Sequence, residues 1–462
     1  MSSPDSHPSG RPKVKRVRPT AVDLFAGVGG LSLGFEQAGF DVVAAIEYDP
    51  VHAAVHEYNF PLTKVLCADL STLRPEALRV AAREGLLRHR RDPGDIDQGI
   101  DVVFGGPPCQ GFSLIGHRAL DDPRNSLVFR FMEMIGALRP RYFVMENVPG
   151  MRIGGHSSIL SDLIDRFERL WGYQIVKPVR VLNAAQYGVP QNRRRLILVG
   201  HRVDIPAPTY PQATVYPSEP KAALDLSLVP VGPTVQDAIG DLPNLDDYDE
   251  LLYRDSVRLA KRTISVMHSR MSPYARRLAG LDKDPEDFSY ERIWDRSLLT
   301  SSLRTTHARG SIRRFRATPP GDVERISRFL RLDPAGLCNT LRAGSGSERG
   351  AFTSPRPIHP HWPRVLSVRE AARLHGFPDW FRFHVTKWNG FRSIGNAVPP
   401  PLARAIAAQI VLALGRAAVK PRTQVELGDI ALLSLNRLEA AAHFKTELEA
   451  IPASRKRAAE SA

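Results

Sequence analysis

A cysteine, a glutamate and a pair of arginines in this chain are spaced so that one site could use all of them. Cys109 follows Asp101-Val-Val-Phe-Gly-Gly-Pro-Pro108 and precedes Gln-Gly-Phe-Ser113. The β-branched run predicts a strand, and the Gly/Pro corner predicts its end. Ligands of open α/β sheets sit beyond the carboxyl ends of the strands. Cys109 is therefore expected at that edge, on a backbone stiffened by two prolines. A lone cysteine is more often a small buried hydrophobe; a polar, glycine-rich turn behind Pro-Pro points instead to a positioned nucleophile. Glu146 closes the run Tyr142-Phe-Val-Met-Glu146 and is expected at the same edge, where a buried carboxyl can hold a proton. Gln191-Asn-Arg-Arg-Arg195 leads into Leu196-Ile-Leu-Val199. Strand alternation sends Arg193 and Arg195 to one face and Arg194 to the other.

A second group of residues describes a nucleoside pocket. Phe25-Ala-Gly27-Val-Gly29-Gly30 lies between a predicted strand and a predicted helix. Glycines there let a ligand approach the backbone at a helix N-terminus. A dinucleotide fingerprint wants a glycine where Ser32 stands, which weakens a nicotinamide or flavin reading. Glu47 ends the second strand, suited to ribose hydroxyls. Asp69 ends the third, suited to an exocyclic amine of adenine. Each carboxylate alone is more often a solvated strand end; three successive strand ends of this kind are a less probable accident. No Lys or Arg in the first turn grips a phosphate. S-adenosylmethionine, an adenosine without phosphates, suits the pocket.

The elements that must hold these groups alternate. Strands are expected at 21–25, 41–47, up to 69, 101–105, 142–146, 174–182 and 195–200, and helices at about 31–39, to 58, 125–138 and 157–171. Residues 83–99 are basic and turn-rich and read as a surface insertion. Such alternation means a mostly parallel sheet flanked by helices, an α/β Rossmann-like fold. Beyond about 205 the alternation gives way to Pro-rich, Arg-dense sequence. Helices return near 368–374 and from Leu402. The expected organisation is a disordered basic arm (1–16), a catalytic and cofactor-binding domain (17–205), a smaller loop-rich recognition domain (206–358), a segment completing the catalytic domain (359–418) and a tail (419–462).

Composition narrows the partners. The net charge is +14, which fits a polyanion such as nucleic acid. Three cysteines give neither a disulfide framework nor paired metal-ligand spacing, so no metal is expected. No apolar run reaches the ~20 residues of a membrane span, and no secretory leader is visible. A cytoplasmic location without a membrane partner is expected.

Six stretches, in order, resemble the motifs of DNA cytosine-5 methyltransferases. They are Asp23-Leu-Phe-Ala-Gly-Val-Gly-Gly30, Gly106-Pro-Pro-Cys-Gln-Gly-Phe-Ser113, Glu146-Asn-Val148, Gln191-Asn-Arg-Arg-Arg195, Arg369-Glu-Ala-Ala-Arg-Leu-His-Gly-Phe-Pro378 and Gly395-Asn-Ala-Val-Pro399. The resemblance covers about 18–205 and 364–415. The resemblance is to the bacterial enzymes, which are often partners of restriction endonucleases. Ser393 stands where the family usually has Gln. The resemblance implies that Cys109 attacks carbon 6 of a cytosine flipped out of duplex DNA, with Glu146, Arg195 and its supporter Arg193 holding the base. It implies cofactor contacts at Asp23, Phe25, Gly27, Gly29, Gly30, Glu47, Tyr48, Asp69, Leu70, Pro108, Leu127 and Asn396. Residues 110–124 would form a loop closing over the base, and the protein is expected to act as a monomer. A transfer-RNA cytosine-5 methyltransferase shares these catalytic motifs but has a short recognition region, against the long Arg-rich stretch here. The remaining reading, an inactive DNA-binding relative, is opposed by intact Cys109, Glu146 and Arg195.

Overall fold

The computed structural model describes residues 17–108, 126–152, 156–217, 229–344 and 356–447. Its centre is an eight-stranded sheet of β1 (Thr20–Leu24), β2 (Asp41–Glu47), β3 (Lys64–Cys67), β4 (Val102–Gly105), β5 (Tyr142–Asn147), β6 (Tyr173–Ile175), β7 (Arg180–Asn183) and β8 (Arg194–Arg202). The strand order is β3-β2-β1-β4-β5-β8-β6, with β7 also paired to β8. β1 to β5 are parallel; β8 runs antiparallel to β5, β6 and β7. Helices α1 (Gly30–Gln37), α2 (Pro50–Asn59), α3 (Pro75–Arg88), α4 (Ser126–Leu138) and α5 (His156–Trp171) connect the strands. The expected α/β architecture is therefore present.

β4 and the middles of β5 and β8 are apolar because both faces are covered. Val103 of β4, Phe143 and Met145 of β5 and Leu196 and Leu198 of β8 enter one core, facing α3, α4 and α5. Their alternates, Phe104, Tyr142, Val144, Ile197 and Val199, enter the other. That second core is closed by α1 and a helix from the far end of the chain.

The rest of the chain folds onto this frame as α6 (Val235–Ile239), α7 (Lys261–Arg270), α8 (Pro273–Leu278), α9 (Arg309–Ala317), α10 (Val368–Arg373), α11 (Lys387–Asn396), α12 (Pro400–Ala413) and α13 (Arg437–Phe444). Short strands β9 (Val257–Arg258) and β11 (Leu298–Leu299) pair with each other, and β10 (Glu291–Ile293) pairs with β12 (Gln424–Glu426). α12 lies against α1 so closely that a methyl group on Gly34 would stand 2.3 Å from the Ala403 Cβ.

Several expected boundaries differ. The single strand expected over 174–182 is two strands, because Pro178 has no amide hydrogen to continue the ladder. Residues 83–88, read as insertion, finish α3, whose Leu78, Ala81, Ala82 and Leu86 recur at helical spacing and are buried. β3 ends at Cys67, two residues short of Asp69. Inside 206–358, residues 288–292 are clamped to the sheet half. Arg292 forms a two-pronged pair with buried Glu36 at 2.8 and 2.9 Å, and Phe288 N–H donates to the Gln37 carbonyl. A carboxylate as buried as Glu36 needs such a cation. Residues 424–446 also pack on the sheet half.

No helix of the described residues is long and apolar enough to cross a membrane.

Candidate active site and cofactor cradle

The carboxyl ends of β1 to β5 form one edge of the sheet, and the candidate residues gather along it. After β1 the backbone enters the left-handed region at Phe25 (φ 67°), Gly27 (φ 55°) and Gly29 (φ 100°), then α1 begins. For Phe25 this conformation is costly. The turn is held open by Glu47 at the end of β2, whose two carboxylate oxygens accept from Gly27 N–H at 2.7 Å and Asp49 N–H at 2.8 Å. Burial raises the Glu47 carboxyl above its usual range. A Cβ on Gly27 would meet nothing within 4 Å, so the floor of the turn faces open space.

Asp23 lies beneath this turn, fully buried. Ser32 Oγ donates to its Oδ2 at 2.6 Å and lies 3.1 Å from His56 Nε2. Burial pushes the Asp23 carboxyl well above its usual range, Ser32 and Glu47 acting more weakly. Asp23 Oδ1 has no hydrogen-bond partner among the described residues. Tyr48 and Asp69 are half-buried, and Asp69 Oδ1 accepts from Ser71 N–H at 2.8 Å. Leu70 is buried in the core, and its carbonyl accepts from Arg130 Nε at 3.0 Å. Pro108 is exposed and Leu127 half-buried. Asn396 is exposed at the end of α11. The open cradle at Gly27, the Glu47 and Asp69 carboxylates at successive strand ends and the unpartnered Asp23 oxygen fit an adenosine-bearing cofactor without phosphates.

Cys109 and residues 110–124 lie outside the described residues. The backbone leading to Cys109 is nevertheless anchored. Asn147, at the end of β5, donates from Nδ2 to the Pro107 carbonyl at 3.4 Å. Gly106 packs so closely on Glu146 that a Cβ there would stand 2.7 Å from Glu146 Oε2. Glu146 Oε1 in turn accepts from Arg195 Nε at 2.6 Å, both side chains being 12 % exposed. The antiparallel pairing of β8 with β5 and β7 brings these two together: Asn147 faces Leu196, and Arg195 faces Leu182.

Arg193 and Arg195 were expected on one face. Arg193 is fully buried, Arg194 exposed and Arg195 nearly buried. Arg193 does not reach the Glu146 carboxylate. It donates from Nη1 to the Leu341 carbonyl at 2.8 Å and from Nη2 to the Gly395 carbonyl at 2.7 Å. It thereby ties Leu341 to the residue before Asn396.

Neighbours whose part the sequence did not disclose complete this knot. Gln191 accepts from Leu341 N–H and donates to the Leu374 carbonyl. Thr340 Oγ1 donates to the Asn192 carbonyl at 2.6 Å. His375 lies within hydrogen-bond distance of both Gln191 Nε2 and the Ala397 carbonyl. Ser393, buried where a longer Gln was expected, donates to the Asn389 carbonyl of its own helix. The backbone of 342–343 fills the space beside Gly395.

A family described as C-5 cytosine-specific DNA methylase matches residues 20–412. Among curated relatives, the Type II methyltransferase M.XorII of Xanthomonas oryzae is 50 % identical over 427 residues, covering 92 % of each chain. Type II methyltransferase M1.HphI of Haemophilus parahaemolyticus is 34 % identical, covering 85 % of this chain and 86 % of its own. A solved structure of a prophage-encoded E. coli protein, described as a DNA modification methyltransferase, is 31 % identical. It superposes with a TM-score of 0.64 over 86 % of this chain and all of its own.

Proposed function

Because this chain belongs to the C-5 cytosine-specific DNA methylase family, and so is a DNA cytosine-5-methyltransferase that uses S-adenosylmethionine, we propose that Cys109, Glu146 and Arg195 carry its chemistry on a cytosine turned out of the duplex. The observation that carries this reading is the 2.6 Å contact between Glu146 and Arg195 beside the anchored Gly106-Pro107-Pro108 backbone.

Carbon 5 of cytosine is a poor nucleophile. The Cys109 thiolate adds to carbon 6, and the ring electron pair moves to carbon 5. S-adenosylmethionine supplies an electrophilic methyl group. Loss of the carbon 5 proton then returns the electron pair that expels the thiolate. Glu146 accepts from the exocyclic amine and, when protonated, donates to ring nitrogen 3. Arg195 uses its remaining N–H groups on the ring carbonyl, so the pair stabilises charge that develops as Cys109 attacks. A stacked base exposes none of these atoms, hence the need to turn it out. Arg193 serves as a positioning residue. Asp23, Phe25, Gly27, Gly29, Gly30, Glu47, Tyr48, Asp69, Leu70, Pro108, Leu127 and Asn396 form the cofactor pocket, with Glu47 on the ribose and Asp69 on the adenine amine.

Residues 206–358 recognise the DNA sequence, and 359–418 complete the catalytic half. Exposed Arg309, Arg313 and Arg316 of α9, with Arg325 and Arg328, have no acidic partner among the described residues and support duplex contact on that side. The Type II naming of the relatives supports a protective role against a partner endonuclease, with the enzyme acting as a monomer. A duplex carrying 5-fluorocytosine has no carbon 5 proton to lose, so it should remain covalently attached to the wild-type chain. Cys109→Ala should bind the duplex without attachment or methylation. Attachment that survives Cys109→Ala, or methyl incorporation into transfer RNA alone, would refute the assignment.

A further inference from the structure

The family match ends at residue 412, yet the chain continues into a well-packed segment. β12 pairs in parallel with β10, Gln424 facing Glu291 and Glu426 facing Ile293. Gly428 then crosses α2 at contact distance: its N–H donates to the Tyr58 carbonyl at 2.8 Å, and a Cβ there would stand 2.9 Å from the Tyr58 Cα. Leu432 and Leu433 are buried against Val55, Tyr58 and Phe383. The Leu433 carbonyl accepts from Val385 N–H at 3.0 Å.

α13 follows, started by a reciprocal Asn436–Glu439 cap. It lies on α2 and β3, with Phe444 packed on Ala53, Val65 and Cys67. The chain turns at Lys445, and Thr446 Oγ1 donates to the Cys67 carbonyl at 2.9 Å.

The elements touched are telling. β3 is the outermost strand of its side of the sheet, and an uncovered edge leaves backbone groups unpaired. Cys67 is the last residue of β3, two before Asp69. α2 starts immediately after Tyr48 and Asp49. α13 therefore spans the two elements that carry Tyr48 and Asp69 to the cofactor pocket. Its first residue is also in electrostatic reach of that pocket: burial and Asp69 raise the Tyr48 hydroxyl above its usual range, and Arg437 pulls it back.

We propose that residues 424–446 form a brace that belongs to the cofactor site, with Thr446 as a positioning residue that fixes the end of β3 so that Asp69 and Tyr48 stand at the separation adenosine requires. This rests on the assignment of Tyr48 and Asp69 to the cofactor pocket. Thr446 and α13 pack on β3 and α2, away from the Glu146–Arg195 pair and α9, so loss of the Thr446 bond should be felt in cofactor affinity and not in DNA affinity.

The test compares the full chain with Thr446→Val, Thr446→Ser and Asp69→Ala, using calorimetry with S-adenosylmethionine, duplex gel shift and methylation kinetics. Thr446→Val should weaken cofactor binding by about fivefold, the scale of one hydrogen bond. It should raise KM for the cofactor with little change in kcat, leave duplex affinity intact, and be rescued by Thr446→Ser. Asp69→Ala should weaken cofactor binding at least as much. A Thr446→Val effect under about twofold beside an intact Asp69→Ala effect, or an equal loss of duplex binding, would overturn the brace alone. A neutral Asp69→Ala would overturn the reading of the pocket, and the brace with it.

Discussion

Glu146 and Arg195 meet at 2.6 Å although they are nearly fifty residues apart and sit on antiparallel neighbours in an otherwise parallel set of strands. Because β8 runs the opposite way, its beginning lies where its neighbours end. A cation entering β8 thus faces an acid leaving β5. Glu146→Gln keeps the shape and removes the charge. It should lower kcat by roughly 10²-fold, the scale for losing one group that stabilises developing charge, with duplex affinity within about twofold. Single-turnover methylation at wild-type rate would remove Glu146 from the mechanism.

Arg193 has a different fate in prospect. Arg193→Met leaves the Leu341 and Gly395 carbonyls buried without their donor. Unfolding stability should fall by about 3 kcal/mol. Cofactor KM should rise because Asn396 follows Gly395. Urea unfolding with an unchanged midpoint would show that the knot bears no strain.

Two glycines should separate fold from ligand. Gly34→Ala drives a methyl into α12 and should cost about 2 kcal/mol of stability. Gly27→Ala meets no protein atom within 4 Å, but holds alanine at φ 55° at a cost of roughly 1–2 kcal/mol and points its methyl into the open space proposed for the cofactor. The second variant should lose more cofactor affinity than the first. The reverse ranking would contradict a cofactor seated over Gly27.

Acid should weaken the fold before the carboxylates titrate. Burial holds His56 and His359 neutral, each pushed down to about 3. Unfolded histidine takes up its proton near its ordinary 6.5, so this stability is present above 6.5 and is lost as pH falls toward 3. Burial pushes the Glu370 carboxyl up, but Arg364, His359 and the Ser367 N–H together hold it down to about 2, a contribution lost as pH falls from 4.5 toward 2. Asp23, shifted upward, acts in the opposite sense and offsets part of the loss. Urea midpoints should decline steadily from about pH 7 to about pH 5; a flat profile would contradict the buried neutral imidazoles.

The arginines of α9 should reveal themselves through salt. Arg313→Ala and Arg316→Ala should each reduce the slope of log affinity against log salt by about 1 if each side chain meets one phosphate. They should weaken all duplexes alike. A change confined to the preferred sequence would move them from backbone contact to base reading.

Much of the sheet was legible because β4, β5 and β8 are short apolar runs with glycine, proline or charge at their ends. Glu146 could be assigned to the Cys109 edge from strand polarity, and Arg195 only to a face; its place beside Glu146 follows from β8 running antiparallel to β5, which a parallel reading of the sheet does not give. Arg193 could be assigned to a face but not to its partners, since the Leu341 and Gly395 carbonyls come from 148 and 202 positions away. The docking of 288–292 and the brace depend likewise on distant pairs, Arg292 with Glu36 and Thr446 with Cys67. In the tail only the Asn436-x-x-Glu439 cap was a local sign of order.

The packing of α1 on α12 has a consequence for synthesis. α1 leaves the ribosome long before α12 does. Until residues 398–413 have been made, the side of α1 that α12 covers stays open, although Phe35 already stacks on Phe104, and Gly30 has no Val398 backbone beside it. Contacts of such long sequence separation fold slowly. A nascent chain therefore carries an unfinished enzyme until α12 has been made.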